Sequence, residues 1–194
     1  MDRFVPELIV TVHLPTAPPE AVEALRDHLL FHLAEGGPLG LSGLVPIYSA
    51  GAQDVIEEHL LDAARLTAWR TIASRDGEAV GAAEVSIDMR LSQVQEAPFV
   101  AGMVEAVRQA EERFASDNRN YELRLLRIPA VYAVALWLHA DDADVLVPVA
   151  PVPRALRANA SYGAVAFTAA LRQLAVETLR EPDASFEQEP FIQT

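Results

Sequence analysis

The sequence predicts an α+β fold, in which a single domain holds a mostly antiparallel sheet of about five to six strands and about three main helices packed largely on one face. Strand-like and helix-like segments follow one another in the order β, α, ββ, α, ββ(β), α, without the strict alternation of an α/β protein. The dipeptide Asp76-Gly77 joins two strand-like segments, which indicates a hairpin. Hydrophobic residues make up 51% of the 194 residues, enough for one core. We expect one domain over residues 1–180 and an acidic, aromatic-containing C-terminal tail over 181–194.

The N-terminal part of the chain predicts one strand and one long helix. Residues 7–14 are apolar on both parities, which is typical of a strand covered on both faces. Apolar residues then recur at helical spacing over about 18–35. The glycine-rich segment 36–43 has neither the P-loop nor the dinucleotide-binding spacing and is predicted to be a plain loop. A short helix is predicted over 53–61.

The clearest hairpin is predicted over residues 66–89. Its second strand alternates, so one set of side chains is predicted to face the core and the other to face water. The inward set is Ala83, Val85, Ile87 and Met89, and the outward set is Glu84, Ser86, Asp88 and Arg90. Glu84 and Asp88 then form a carboxylate pair on the wet face, a pattern more often solvated than catalytic.

The second half of the chain repeats the order of strands and then a helix. An amphipathic helix follows Pro98, and residues 121–138 are strand-like but interrupted by Pro129, which leaves both a bulged strand and a hairpin open. A short strand at 145–147 and a helix from Ser161 to about residue 180 complete the pattern. The segments 66–118 and 121–180 share an element order but no residue pattern that aligns, so no repeat is inferred.

Composition excludes several function classes. The formal charge is −13, and no basic stretch offsets it, so a nucleic acid partner is not expected. All 15 basic residues are Arg, which excludes chemistry that needs a lysine amine, and the absence of Cys excludes disulfides and thiolate metal sites. The N-terminus lacks a signal-peptide pattern and no apolar run is long enough to span a bilayer. We therefore expect a cytoplasmic protein without a membrane partner.

Two histidine-containing clusters are candidate metal sites. His28 and His32 are one helical turn apart, a spacing that suits two ligands of one metal but also two residues at the edge of an amphipathic stripe. The segment from His139 to Asp144 gathers oxygen and nitrogen donors at the end of a strand, although its spacing matches no calcium loop. Its candidate catalytic residues are His139, Asp141, Asp142 and Asp144.

Aromatic residues near the C-terminal strands and in the tail are candidate contacts for a protein partner. The run 131–138 is apolar on both parities, so it is either a central strand or a strand with one face against another subunit. Large aromatics supply much of the binding energy at interfaces, but most strand aromatics fill cores. The candidates are Tyr132, Trp137, Phe186 and Phe191.

Three functional hypotheses follow from these observations. The leading hypothesis is a non-catalytic domain that binds a protein, most simply a second copy of itself, with no cofactor. The first alternative is a metal-dependent hydrolase that uses the His/Asp cluster and a divalent metal. The second alternative is a carrier of a small apolar ligand, which predicts an internal cavity between sheet and helix.

Overall fold

The computed structural model describes residues 12–32 and 38–180, and the α+β class is confirmed there. In this part of the chain ten strands form one sheet and five α-helices pack on it. The strands are β1 (Val12–His13), β2 (Gly40–Leu41), β3 (Val45–Ser49), β4 (Arg65–Arg75), β5 (Glu78–Ser86), β6 (Leu91–Glu96), β7 (Tyr121–Ile128), β8 (Ala133–Ala140), β9 (Ala143–Pro148) and β10 (Tyr162–Gly163). The helices are α1 (Pro19–His32), α2 (Ala52–Ile56), α3 (Leu60–Ala63), α4 (Ala97–Phe114) and α5 (Ala164–Arg180). None of these helices is long and apolar enough to cross a membrane.

The sheet consists of two antiparallel four-stranded units that meet at a parallel pair. The strand order is β10-β9-β8-β7-β3-β4-β5-β6, with β3 and β7 parallel at the centre, while β1 pairs with β7 and β2 with β4. Each unit is a meander followed by a helix, β3–β6 with α4 and β7–β10 with α5. The predicted numbers of strands, five to six, and of main helices, about three, were therefore too low, and the sheet, predicted to be mostly antiparallel, is mixed. The prediction missed the parallel pair because its two strands are far apart in the sequence.

Helices cover both faces of the sheet. Along β7, Leu123 and Leu125 pack in the core beneath α4, whereas Leu126 and Ile128 pack in the core beneath α5. We call these the α4 face and the α5 face; α1, α2 and α3 lie on the α5 face as well. The helices that follow the two four-stranded units, α4 and α5, thus lie on opposite faces of the sheet.

The turns of the β4–β5 and β7–β8 hairpins follow from their local sequence. Asp76 and Gly77 have φ angles of 52° and 84°, as the Asp-Gly pair predicts for a tight turn between β4 and β5. Residues 121–138 form a hairpin rather than one bulged strand, since a 3-10 turn at Pro129–Val131 and a left-handed Tyr132 reverse the chain between β7 and β8. Pro129 lies in the turn, where its missing N–H costs no ladder bond.

The predicted alternation of β5 fails at its C-terminal end. Ile87, predicted to face the core, is 52% exposed, because β5 ends at Ser86 and the chain turns away at Met89, whose φ is 60°. Glu84, predicted to face water, is only 2% exposed. The prediction was wrong because it assumed one wet face, whereas α4 covers that face of β5.

The last helix begins later than predicted. Ser161 does not cap it, because Tyr162 and Gly163 first pair with β9 as the short strand β10, and α5 starts at Ala164. The predicted strand at 145–147 is confirmed as the middle of β9. The predicted strand at 7–14 lies mostly outside the described residues, as does the tail at 181–194.

Candidate ligand-binding site

A cavity of about 480 Å³ lies between α4 and the α4 face of the sheet. Pockets that hold small molecules typically measure roughly 300–1,000 Å³, so this one is large enough for a ligand. Both four-stranded units contribute to its walls. The described residues that line it are Ile47, Arg70, Gln95, Met103, Leu125, Arg127, Pro129, Tyr132, Ala133, Val134, Val149, Ala150 and Pro151.

Most of the wall is apolar. Ile47 and Leu125 form its floor from the central parallel pair, where their backbones are in register, and Met103 covers it from α4. These three side chains are at most 5% exposed. Val134 on β8 and Val149 after β9 complete the apolar surface. Such walls offer a ligand dispersion contacts and removal of apolar surface from water.

Close packing at Gly102 sets the distance between α4 and one wall of the cavity. A Cβ atom placed on Gly102 would lie 2.9 Å from the carbonyl oxygen of Ala150, which is closer than side chains approach in folded proteins. Glycine therefore lets α4 approach the segment Val149–Pro151, which lines the cavity. The distance between α4 and this wall of the cavity therefore depends on having glycine at position 102.

A buried cluster of charges forms the polar side of the cavity. Arg70 Nη1 donates to Glu84 Oε1 at 2.5 Å, and Arg127 Nη2 donates to the same oxygen at 2.8 Å. Arg70 Nη2 also donates to Gln95 Oε1 at 2.5 Å. The side chains of Arg70 and Glu84 are 7% and 2% exposed, whereas that of Arg127 is 30% exposed. Two guanidinium groups thus share one carboxylate oxygen, and Arg127 is the one that remains open to the cavity.

The cluster leaves hydrogen-bonding capacity unused. Within the described residues Arg70 Nε is buried without a hydrogen-bond partner. Arg127 makes one side-chain hydrogen bond in the same part of the chain, the one to Glu84, although a guanidinium carries five donors. Counting two Arg and one Glu, the cluster has a formal charge of +1 in a protein whose net charge is −13. An unpaired buried donor is costly, so such groups commonly mark functional sites.

Sequence reasoning missed this site because its polar residues meet only in three dimensions. Arg70 and Glu84 are directly opposite each other on β4 and β5, and Gln95 reaches them from β6. Arg127 is 43 residues from Glu84 in the sequence and approaches only because β3 and β7 pair in parallel. The sequence offered one signal for this site. Glu84, which was predicted to face water, lies opposite Arg70 across the predicted hairpin.

The four residues of the His139–Asp144 cluster line one open groove beside the first turn of α5, but their side chains serve different partners. Asp144 Oδ1 accepts hydrogen bonds from Trp137 Nε1 at 2.6 Å and from His139 Nδ1 at 2.8 Å. Asp142 pairs with Arg119 at 3.2 Å, and Asp141 is exposed. No group of three or more metal-ligating side chains converges among the described residues. The hydrolase hypothesis stays a prediction.

The other predicted residues are distributed between the core, the surface and undescribed parts. Trp137 is 4% exposed and packs edge-on against Tyr48 at 5.3 Å, with the Arg124 guanidinium 4.7 Å from its ring. Tyr132 is 89% exposed and lies at the cavity. His28 and His32 lie on α1, but their side chains fall outside the described residues, as do Phe186 and Phe191.

Comparisons of the chain with protein-family models, with curated proteins and with solved structures found no match in any of the three.

Proposed function

We propose that this protein binds a small, largely apolar molecule in the cavity beneath α4, without chemical conversion of the ligand. One observation carries the proposal: a cavity of about 480 Å³ whose walls are mostly apolar lies in the middle of the sheet, at the junction of the two four-stranded units. A ligand that buries apolar surface there gains about 25 cal/mol per Å² removed from water. The proposal corresponds to the carrier hypothesis.

The leading sequence-based hypothesis, self-association through the apolar strand 131–138, receives less support from the geometry. That hypothesis relied on surplus apolar surface on this strand. In the fold β8 lies between β7 and β9, and Trp137 packs inside the chain's own core. Of the two predicted contact residues that the structure describes, Tyr132 is the exposed one, and it lies at the rim of the cavity.

The proposal is tested with N-phenyl-1-naphthylamine, a neutral apolar probe whose fluorescence rises in apolar surroundings. The wild-type protein is expected to bind it saturably at one site per chain. Val134→Trp places a large ring in the cavity and is expected to weaken binding by at least about tenfold, a change of about 1.4 kcal/mol. Val165→Trp is the matched control, because Val165 is 84% exposed on α5 and lies away from the cavity.

The two variants separate a specific site from general surface affinity. Saturable binding lost in Val134→Trp and kept in Val165→Trp supports the proposal, provided that both variants retain the wild-type circular dichroism spectrum. No saturable binding by the wild type, or equal binding by both variants, contradicts it.

A further inference from the structure

We infer that the ligand of this cavity is a monoanion, an apolar body that carries one carboxylate-type group, and that Arg127 receives that group. The inference rests on the proposed ligand-binding function and specifies the chemistry of its ligand. It is carried by the Arg70–Glu84–Arg127 cluster, which places excess positive charge and unused donors at an otherwise apolar cavity.

The charge of the cluster defines the charge of the ligand. Two guanidinium groups and one carboxylate leave an excess of one positive charge at an apolar surface. Removing charges from water is costly unless opposite charges compensate them. A single negative charge on the ligand neutralises the cluster, whereas a phosphate monoester, with about −1.5 to −2 charges at neutral pH, over-compensates it. The formal charge of the cluster therefore favours a carboxylate over a phosphate as the head group of the ligand.

The exposure of the two arginines identifies which one the ligand contacts. Arg70 also lines the cavity, but it is held by Glu84 and Gln95 and is only 7% exposed, so it acts as a fixed charge. Arg127 is 30% exposed, lines the cavity and makes one side-chain hydrogen bond within the described residues. Glu84 fixes the orientation of the Arg127 guanidinium before a ligand arrives. A planar guanidinium with free donors suits the two oxygens of a carboxylate.

The apolar part of the ligand contacts the floor of the cavity and the residue that covers it. Ile47, Leu125 and Met103 provide a surface without hydrogen-bonding side chains. A ligand with a charged group at one end and a hydrocarbon body at the other satisfies both sides of the cavity at once. Linear fatty acids of medium length are the simplest molecules of this type.

The test compares ligands that differ only in the head group. Octanoate, 1-octanol and octyl phosphate are used to displace N-phenyl-1-naphthylamine at pH 7. Octanoate is expected to bind about tenfold or more tightly than 1-octanol, since hydrogen bonds between charged groups are among the stronger ones. Octyl phosphate is expected to bind more weakly than octanoate.

Two substitutions link that preference to the cluster. Arg127→Met replaces the guanidinium with an uncharged, apolar side chain. This variant is expected to lose the preference for octanoate over 1-octanol but still to bind the neutral probe. Arg124→Met is the matched control, because Arg124 lies on the same strand but stacks on Tyr48 and Trp137 on the opposite face.

The outcomes distinguish this inference from the function on which it rests. Equal affinity for octanoate and 1-octanol, or a preference that survives Arg127→Met, overturns the inference while binding of the neutral probe keeps the proposed function. Tighter binding of octyl phosphate overturns the monoanion assignment. Absence of saturable binding by the neutral probe and by all three octyl ligands overturns both.

Discussion

At the scale of single residues, Glu84 is the buried carboxylate that two arginines share. It is a charged side chain at 2% exposure whose Oε1 accepts from both Arg70 and Arg127. Replacing a buried ion pair as a whole with apolar residues is often tolerated, but removing one partner leaves an uncompensated charge. Glu84 is therefore needed for the fold as well as for the cavity.

Removing the carboxylate is expected to destabilise the protein strongly. Glu84→Ala leaves two guanidinium groups without their shared acceptor, and the free energy of unfolding is expected to fall by about 3–5 kcal/mol. Urea denaturation followed by circular dichroism measures this change. Glu105→Ala is the control, because Glu105 pairs with Arg108 on the surface of α4 at 44% exposure, where a pair contributes about 0–1 kcal/mol. Equal losses in the two variants would contradict the assigned role of Glu84.

Tyr121 is expected to make the free energy of unfolding depend on pH in the alkaline range. Burial raises the pKa of its phenol, and the hydrogen bond from its Oη to Asp117 Oδ2 at 3.2 Å raises the pKa further. The fold thus favours the neutral phenol, and this contribution is complete below the unfolded pKa of about 10 and is lost as the pH rises through the higher folded pKa.

An absorbance titration at 295 nm checks this assignment. Tyr121 is expected to ionise late, and Tyr121→Phe is expected to remove that late component, together with about 1 kcal/mol of stability at neutral pH. Tyr132→Phe, at a ring 89% exposed, is expected to leave the late component in place. A late component that persists in Tyr121→Phe would assign it to another tyrosine.

At the scale of elements, α4 is the helix that turns one face of the sheet into a closed surface. It alone among the described helices lies on the face that carries the cavity. Its stripe of apolar residues follows helical spacing and could be predicted from the sequence, because the pattern spans only a few turns. The face that it covers could not be predicted, because both β-units present apolar residues on both sides.

The contact at Gly102 fixes the depth to which α4 docks. Gly102→Val is expected to lower the free energy of unfolding by about 1–3 kcal/mol, because its Cβ meets the Ala150 carbonyl oxygen at 2.9 Å and the backbone must move. Ala101→Val is the control, on the exposed side of the same helix, where only the small propensity cost of valine applies. Thermal unfolding of both variants measures the difference; equal effects would show that α4 has room to shift at Gly102.

At the scale of the whole molecule, the cavity belongs to neither half of the sheet alone. Ile47 and Arg70 come from the first four-stranded unit, and Leu125 and Arg127 come from the second. A ligand bound in this cavity would therefore contact both units at their parallel junction. A ligand that binds only the folded chain also raises its stability in proportion to concentration and affinity.

The limits of sequence-based prediction follow from the same arrangement. The Asp76-Gly77 turn was predictable because a tight turn depends on adjacent residues. The charge cluster was not, because Arg127 and Glu84 are 43 residues apart and meet only after β3 and β7 pair. The assumption of one solvent-facing side per strand placed Glu84 in water, although α4, whose position is a property of the whole fold, buries it.

Binding of an apolar monoanion in the cavity beneath α4 is measured by NMR of the methionine methyl groups during titration with octanoate. The chain has three methionines, of which Met103 lines the cavity, whereas Met89 is partly buried and packs against the core beneath α1. Selective ¹³C labelling of these methyl groups is expected to show a saturable shift of the Met103 signal, an unmoved Met89 signal, and loss of the shift in Val134→Trp. A Met103 signal that does not move at saturating octanoate, or that moves together with Met89, would contradict the cavity as the binding site.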